Sequence, residues 1–325
     1  MRAAAAVSRL RSTQPMPRRS SNTTVALLGT ATVLALAAFM LRPARERTRY
    51  IKPVHRPARR LHRAAGTMAA CVLFDSAIEH YRGSFHNRGM FAPLASATLT
   101  LAASGSGSAA PIGSAGARRS RDLIYTLAGA TGLIGTAFHL YNIGKRPGGF
   151  SWSNFFYAAP VAAPAALAFA GVLGLAANRL HDPSNDTLPK LLGVPAGRLL
   201  AALTSAGIFG TVGEVALLHF RGAFQNPAMY LPVSVPPVAA VLLASSALGP
   251  ARRDRAWTRW WLRLTGLLGL IGTLLHANGV RRAMGGWRNW SQNLLNGPPL
   301  PAPPSFTALA LSGLSALELL RGEDR

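Results

Sequence analysis

The sequence predicts an all-α integral membrane protein. It reads as a tandem repeat of two four-helix transmembrane units in parallel orientation, plus one extra N-terminal hydrophobic segment. Three observations lead there. Apolar residues gather into blocks of membrane-spanning length rather than at strand or surface-helix periodicity. Two stretches of the chain repeat each other at a nearly constant offset. Arginines flank the apolar blocks instead of interrupting them.

The blocks run over 64–81, 89–104, 122–144, 155–178, 198–219, 229–248, 260–280 and 303–320. A span needs roughly 17 to 25 mostly apolar residues, so each is a span or nearly one. Block 24–41 stands apart, inside a basic N-terminal region 1–63. It reads in three ways: an added span, a cleaved signal following Arg18 and Arg19, or the product of a start that belongs at Met40 or Met68. The first repeat then covers 64–180, a cytoplasmic linker 181–197, and the second repeat 198–325.

The repeat rests on paired motifs. His80-Tyr81-Arg82-Gly83 with Phe85, Asn87, Met90 and Pro93 matches His219-Phe220-Arg221-Gly222 with Phe224, Asn226, Met229 and Pro232. Asp75 and Glu214 stand five residues before the two histidines. Gly132, Gly135, Thr136 and His139 match Gly269, Gly272, Thr273 and His276. Asn154 with Pro160 and Pro164 matches Asn293 with Pro299 and Pro303. Four spans return the chain to its starting side, so the second unit enters as the first did. The pseudo-twofold axis then lies along the membrane normal, unlike that of inverted repeats.

Within a unit, the second span turns the chain back between the first and third. His80, His139, His219 and His276 therefore approach one membrane face. The other face carries most of the Lys and Arg, above all the run from Arg42 to Arg63. The positive-inside rule places the histidines on the periplasmic side of a bacterial inner membrane. Trp152, Trp287 and Trp290 then mark the outer interface, and Trp257, Trp260 and Trp261 the inner one. The formal net charge of +24 invites a nucleic-acid reading. Its placement beside spans argues for anionic lipids as the partner and against nucleic acid. Cys71, the only cysteine, falls within a span and reads as a small packing residue.

Four sets of residues could carry chemistry. A neutral imidazole ligates metals and haem iron, so His80 with His139 and His219 with His276 form two candidate pairs, for haem b or a metal ion. The four could also converge into one centre on the pseudo-axis. Gly132, Gly135 and Thr136, and likewise Gly269, Gly272 and Thr273, share the ligand face of their helix. Such a face leaves room for a flat macrocycle, or else packs a neighbouring helix closely. Asp75, Glu79 and Arg82 lie on one helix face, so Glu79 can pair with Arg82. These acids and Glu214 suggest a proton relay or groups that orient a histidine, against a purely structural ion pair. Finally, Arg82, Asn87, Arg221 and Asn226 could bind a carboxylate or phosphate at the surface. The plainer roles are helix caps for the asparagines and pairing with Asp75 or Glu214 for the arginines.

No Walker loop, dinucleotide fingerprint, C-x-x-C or nucleophile elbow is present, which argues against a soluble-type enzyme. The leading expectation is a membrane protein with histidine-centred redox, metal or haem sites near the periplasmic face, serving with another membrane or periplasmic redox subunit. The alternatives are an outward-facing binding protein or transporter for a small anion, and a membrane scaffold.

Overall fold

The computed structural model describes residues 55–109, 114–181, 190–249 and 255–323. The 24–41 segment and the Arg42–Lys52 part of the basic run lie outside them. Eight long helices form among the described residues, one on each of the eight expected blocks. They are α1 (His55–Arg82), α2 (Ala92–Ala109), α3 (Ala115–Gly144), α5 (Ala162–Leu180), α6 (Ala196–Arg221), α7 (Leu231–Leu248), α8 (Ala256–Arg282) and α10 (Pro304–Glu323). Two short helices, α4 (Trp152–Tyr157) and α9 (Trp290–Asn296), precede α5 and α10. A two-residue β pair, β1 (Lys190–Leu191) with β2 (Val194–Pro195), precedes α6.

The class is all-α and of membrane type, but the span count is smaller than expected. Among the described residues four helices are long and apolar enough to cross a membrane: α3, α5, α6, and the segment Pro227–Leu248 that contains α7. The other four are more polar. Helix α1 begins with Arg56, Arg59, Arg60 and Arg63, and α8 carries Arg259, Arg263, Arg281 and Arg282. Helix α2 is rich in Ser, Thr and Gly, and α10 contains Ser305, Thr307, Ser312, Ser315 and Glu318.

Prolines set the interruptions. The expected span 155–178 is divided, with α4 ending at Tyr157 and α5 starting at Ala162. Pro160 lacks an amide proton and turns its preceding residue away from helical geometry. Pro298, Pro299, Pro301 and Pro303 separate α9 from α10 in the same way.

In the first half α1 packs on α2 and α5, and α3 packs on the same two. In the second half α6 packs on α7 and α10, and α8 packs on the same two. The halves meet chiefly through α1 against α10. One apolar cluster joins them, with Leu61 and Ala65 of α1, Leu173 of α5, Leu200 of α6, Leu243 of α7, Leu262 of α8, and Leu309 and Leu317 of α10. Many of its members are alanines, which let helices approach closely where apolar surroundings give no other drive to associate. Arg60 of α1 pairs with Glu318 of α10 at 3.0 Å at the margin of this interface.

The core is lopsided along the helices. In α6 every buried residue lies between Ala196 and Ile208, and none towards Arg221. In α1 burial stops at Ser76. The tightly packed half is thus the arginine-rich one, and the histidine-bearing half is looser. Outward faces are strongly apolar. Leu123, Leu127, Ile134, Phe138 and Tyr141 form an exposed stripe along α3. Such a stripe is stable against lipid rather than water.

Candidate histidine site

The first helix of each half ends at the R-G motif. Past Arg82 the chain turns through Ser84 and Phe85, both with positive φ, and past Arg221 through Ala223 and Phe224 with nearly the same angles. Left-handed geometry is unfavourable for such residues, so the surroundings must hold it. Hydrogen bonds do so: Phe85 N donates to His80 O at 3.0 Å, and Phe224 N to His219 O at 3.1 Å. The turn stacks Phe85 on Phe91 and Phe224 on Tyr230, each at 4.5 Å between ring centres. Both phenylalanines meet the neighbouring imidazole edge-on, at 6.2 Å for His80 and 6.1 Å for His219.

All four histidines share one feature. His80 Nδ1 donates to Met90 O at 2.6 Å, and His219 Nδ1 to Met229 O at 2.8 Å. His139 Nδ1 donates to Pro160 O at 2.6 Å, and His276 Nδ1 to Pro299 O at 2.7 Å. A carbonyl can only accept, so each Nδ1 carries the proton and each neutral ring keeps its lone pair on Nε2. This second bond is what orients metal-ligating histidines. Sequence reasoning used the repeated methionines and prolines only as markers of the repeat and missed that their carbonyls position the imidazoles. The signal was present: methionine follows histidine by ten residues in both motifs.

His80 lies within electrostatic reach of His139, and His219 of His276. No group of three or more His, Cys, Asp or Glu that could hold a metal ion occurs among the described residues. The expectation of one four-histidine centre on the axis is therefore corrected. Each of the four rings is instead bonded to a carbonyl of its own half.

The glycine faces also differ from expectation. A side chain on Gly132 would strike the backbone of Ala168 and Pro164, and one on Gly269 would strike Thr307 and Pro303. Gly135 and Gly272 meet Pro164 and Pro303. Thr136 and Thr273 donate to Gly132 O and Gly269 O of their own helices, at 2.8 and 3.1 Å. This stripe is filled by α5 in one half and α10 in the other. It leaves no open slot for a macrocycle, since close helix packing has used the space.

The polar residues divide clearly. Glu79 pairs with Arg82 at 2.8 Å, as the spacing indicated. Arg221 does not pair with Glu214. It lies over the rings of Phe156 and Tyr157, at 5.8 and 5.6 Å. Glu214 instead accepts from Ala162 N at 2.8 Å, so that α6 caps the start of α5 in the other half. Asp75 is half-buried and lies within electrostatic reach of Glu79 and Glu214. Asn87 accepts from Gly89 N at 2.8 Å and Asn226 from Ala228 N at 2.9 Å, so both cap 3-10 turns. These partners weaken the surface-anion reading. Both arginines are engaged, and both asparagines serve the backbone.

Compared with family models, with curated proteins and with solved structures, the chain has no significant match.

Proposed function

We propose that this is a membrane redox protein of two parallel four-helix repeats related by a twofold axis along the membrane normal. Each repeat would carry one bis-histidine site, His80 with His139 and His219 with His276, fitted for haem b or another single metal centre. The observation that carries this reading is the common Nδ1-to-carbonyl bond, which leaves four oriented Nε2 lone pairs in the loosely packed half. The matched turns, matched ring stacks and matched helix packing order support the repeat. The filled glycine faces mean that a macrocycle would have to lie off the Gly132 and Gly269 stripes.

Bound haem would supply one-electron transfer. The chain's own part is to orient the rings, to hold their protons on Nδ1, and to exclude water with the outer turns. The arginine bias supports a site on the periplasmic side of a bacterial inner membrane. Anionic lipids would lie at the opposite face, and another redox subunit would exchange electrons with the site. In this reading segment 24–41 is one extra N-terminal hydrophobic segment of the sequence.

The test is the absorption spectrum and iron content of the full chain purified in mild detergent, after expression with haem precursor. We expect a Soret band, reduced to about half by His139→Ala or His276→Ala, since each removes one of two sites. Asn87→Ala should leave the band intact and cost about 1 kcal/mol of stability as a lost cap. Colourless, metal-free protein that takes up neither haem nor metal on titration would overturn the proposal.

A further inference from the structure

A second polar cluster lies at the other end of the molecule, among the arginine-rich helix ends. His62 of α1 is fully buried, and its Nδ1 is 2.9 Å from the Tyr125 hydroxyl of α3. That hydroxyl is 3.3 Å from Ser104 Oγ of α2. Arg121 of α3, only 4% exposed, donates Nε to Asn178 Oδ1 of α5 at 2.9 Å. Asn178 in turn donates to Asp122 Oδ1 and to Arg118 O, each at 2.9 Å. His181 packs its ring 5.3 Å from that of His62. Gly107 is required here, because any side chain would strike the His62 imidazole.

This cluster has donors without acceptors. Arg121 Nη2 and His62 Nε2 are buried with no hydrogen-bond partner. With the Tyr125 hydroxyl donating to His62 Nδ1, the imidazole carries its own proton on Nε2. Arg121 cannot deprotonate, and among the described residues no carboxylate lies within ion-pair distance of it. A buried guanidinium held by one neutral amide oxygen is costly unless an anion accompanies it. Arg121 also lies within electrostatic reach of His62.

The second half shows that the fold does not need these groups. Leu262 and Leu243 pack against Gly313 as Tyr125 packs against Gly174. By the motif offsets, Ala201, Leu243, Thr258, Leu262, Leu317 and Leu320 stand where the first half has His62, Ser104, Arg121, Tyr125, Asn178 and His181. This comparison rests on the repeat reading above, whereas the donor inventory does not. Polar groups placed where an apolar solution already serves usually answer to function.

We infer that Arg121 and His62 form a buried anion site in the first half, taking a phosphate group from a lipid headgroup or from free phosphate. The guanidinium supplies the charge, His62 Nε2 a directional donor, and Tyr125 with Ser104 fixes the imidazole tautomer.

The test is the thermal midpoint of the full chain in a non-ionic detergent. It is measured with millimolar inorganic phosphate, with short-chain phosphatidylglycerol, and with short-chain phosphatidylcholine. A rise of several degrees is expected with phosphate or phosphatidylglycerol and not with phosphatidylcholine, whose headgroup carries no net charge. A response to phosphatidylglycerol alone assigns the lipid, and a response to both assigns the phosphate group itself. Arg121→Gln and His62→Ala should each abolish the rise, while Arg121→Lys keeps part of it. The sixfold exchange H62A/S104L/R121T/Y125L/N178L/H181L copies the second half and should fold without responding. No response in the wild type, or an undiminished one in Arg121→Gln and His62→Ala, overturns the inference. Failure of the sixfold exchange alone to fold would count against the repeat pairing instead. The histidine proposal is read separately, by the Soret band.

Discussion

His181 follows the last residue of α5 and is almost fully buried between His55 and His62. Burial lowers its pKa from 6.5 to about 4, and the neighbouring His55, Arg121 and Arg59 push the same way. The consequence for stability has a definite sign. The folded pKa is below the unfolded one, so the unfolded chain binds the proton more readily in acid. The contribution of His181 is complete above pH 6.5 and is lost as pH falls towards about 4. The size is on the order of 3 kcal/mol for one such group. Denaturation midpoints in phosphate-free detergent should therefore decline between pH 6.5 and 4, and His181→Leu should flatten the decline. An equal decline in the variant would assign it to other groups. Individual residues were only partly legible in sequence. The four motif histidines were found because they repeat. His62 and His181 were passed over because neither falls within the paired motifs, and repetition cannot flag a group that lies outside them.

At the scale of elements, the glycines separate into those that admit a neighbouring helix and those that do not. A methyl group at Gly132 meets the backbone of α5, which cannot move aside as a flexible side chain could. Gly105 of α2 has nothing within 4 Å of such a methyl. Gly132→Ala should therefore destabilise by about 1–3 kcal/mol through overpacking. Gly105→Ala should be neutral or stabilise by up to about 1 kcal/mol through helix propensity. Unfolding in graded denaturing detergent compares the two, and similar losses in both would contradict the close approach of α3 and α5. The helix positions were well marked by apolar length, and the R-G turns by their paired motifs. The break between α4 and α5 could have been read from Pro160, but an apolar run that continues across it concealed the stop. The glycine stripe was ambiguous in principle, since an open slot and a tight helix contact demand the same residue.

The whole molecule has a dense end and a loose end. The dense end holds the shared apolar cluster, the Arg60–Glu318 pair and the buried polar network. The loose end holds the four motif histidines, Asp75 and Glu214. The parallel arrangement proposed above predicts that these ends face opposite sides of a membrane. A reporter inserted near Gly148 should read periplasmic, and reporters after Pro183 and Asp254 should read cytoplasmic. Consistent reversal would put the histidines inside and undo the arginine-based orientation, leaving the bonding of the rings untouched.

The helical, membrane-type class was written in the sequence by itself, because membrane-length apolar blocks are local properties that need no neighbour to be seen. Glu79 with Arg82 and the two asparagine caps were legible for the same reason, their partners lying within three residues. Only the tertiary structure decided that no four-histidine centre forms among the described residues, that α5 and α10 fill the glycine faces, and that Arg221 turns to Phe156 and Tyr157. It alone brought His62, Tyr125, Ser104, Arg121 and Asn178 together from four helices. Which groups share a buried volume depends on how helices distant in the chain rotate and approach, and close packing, not local pattern, settles that.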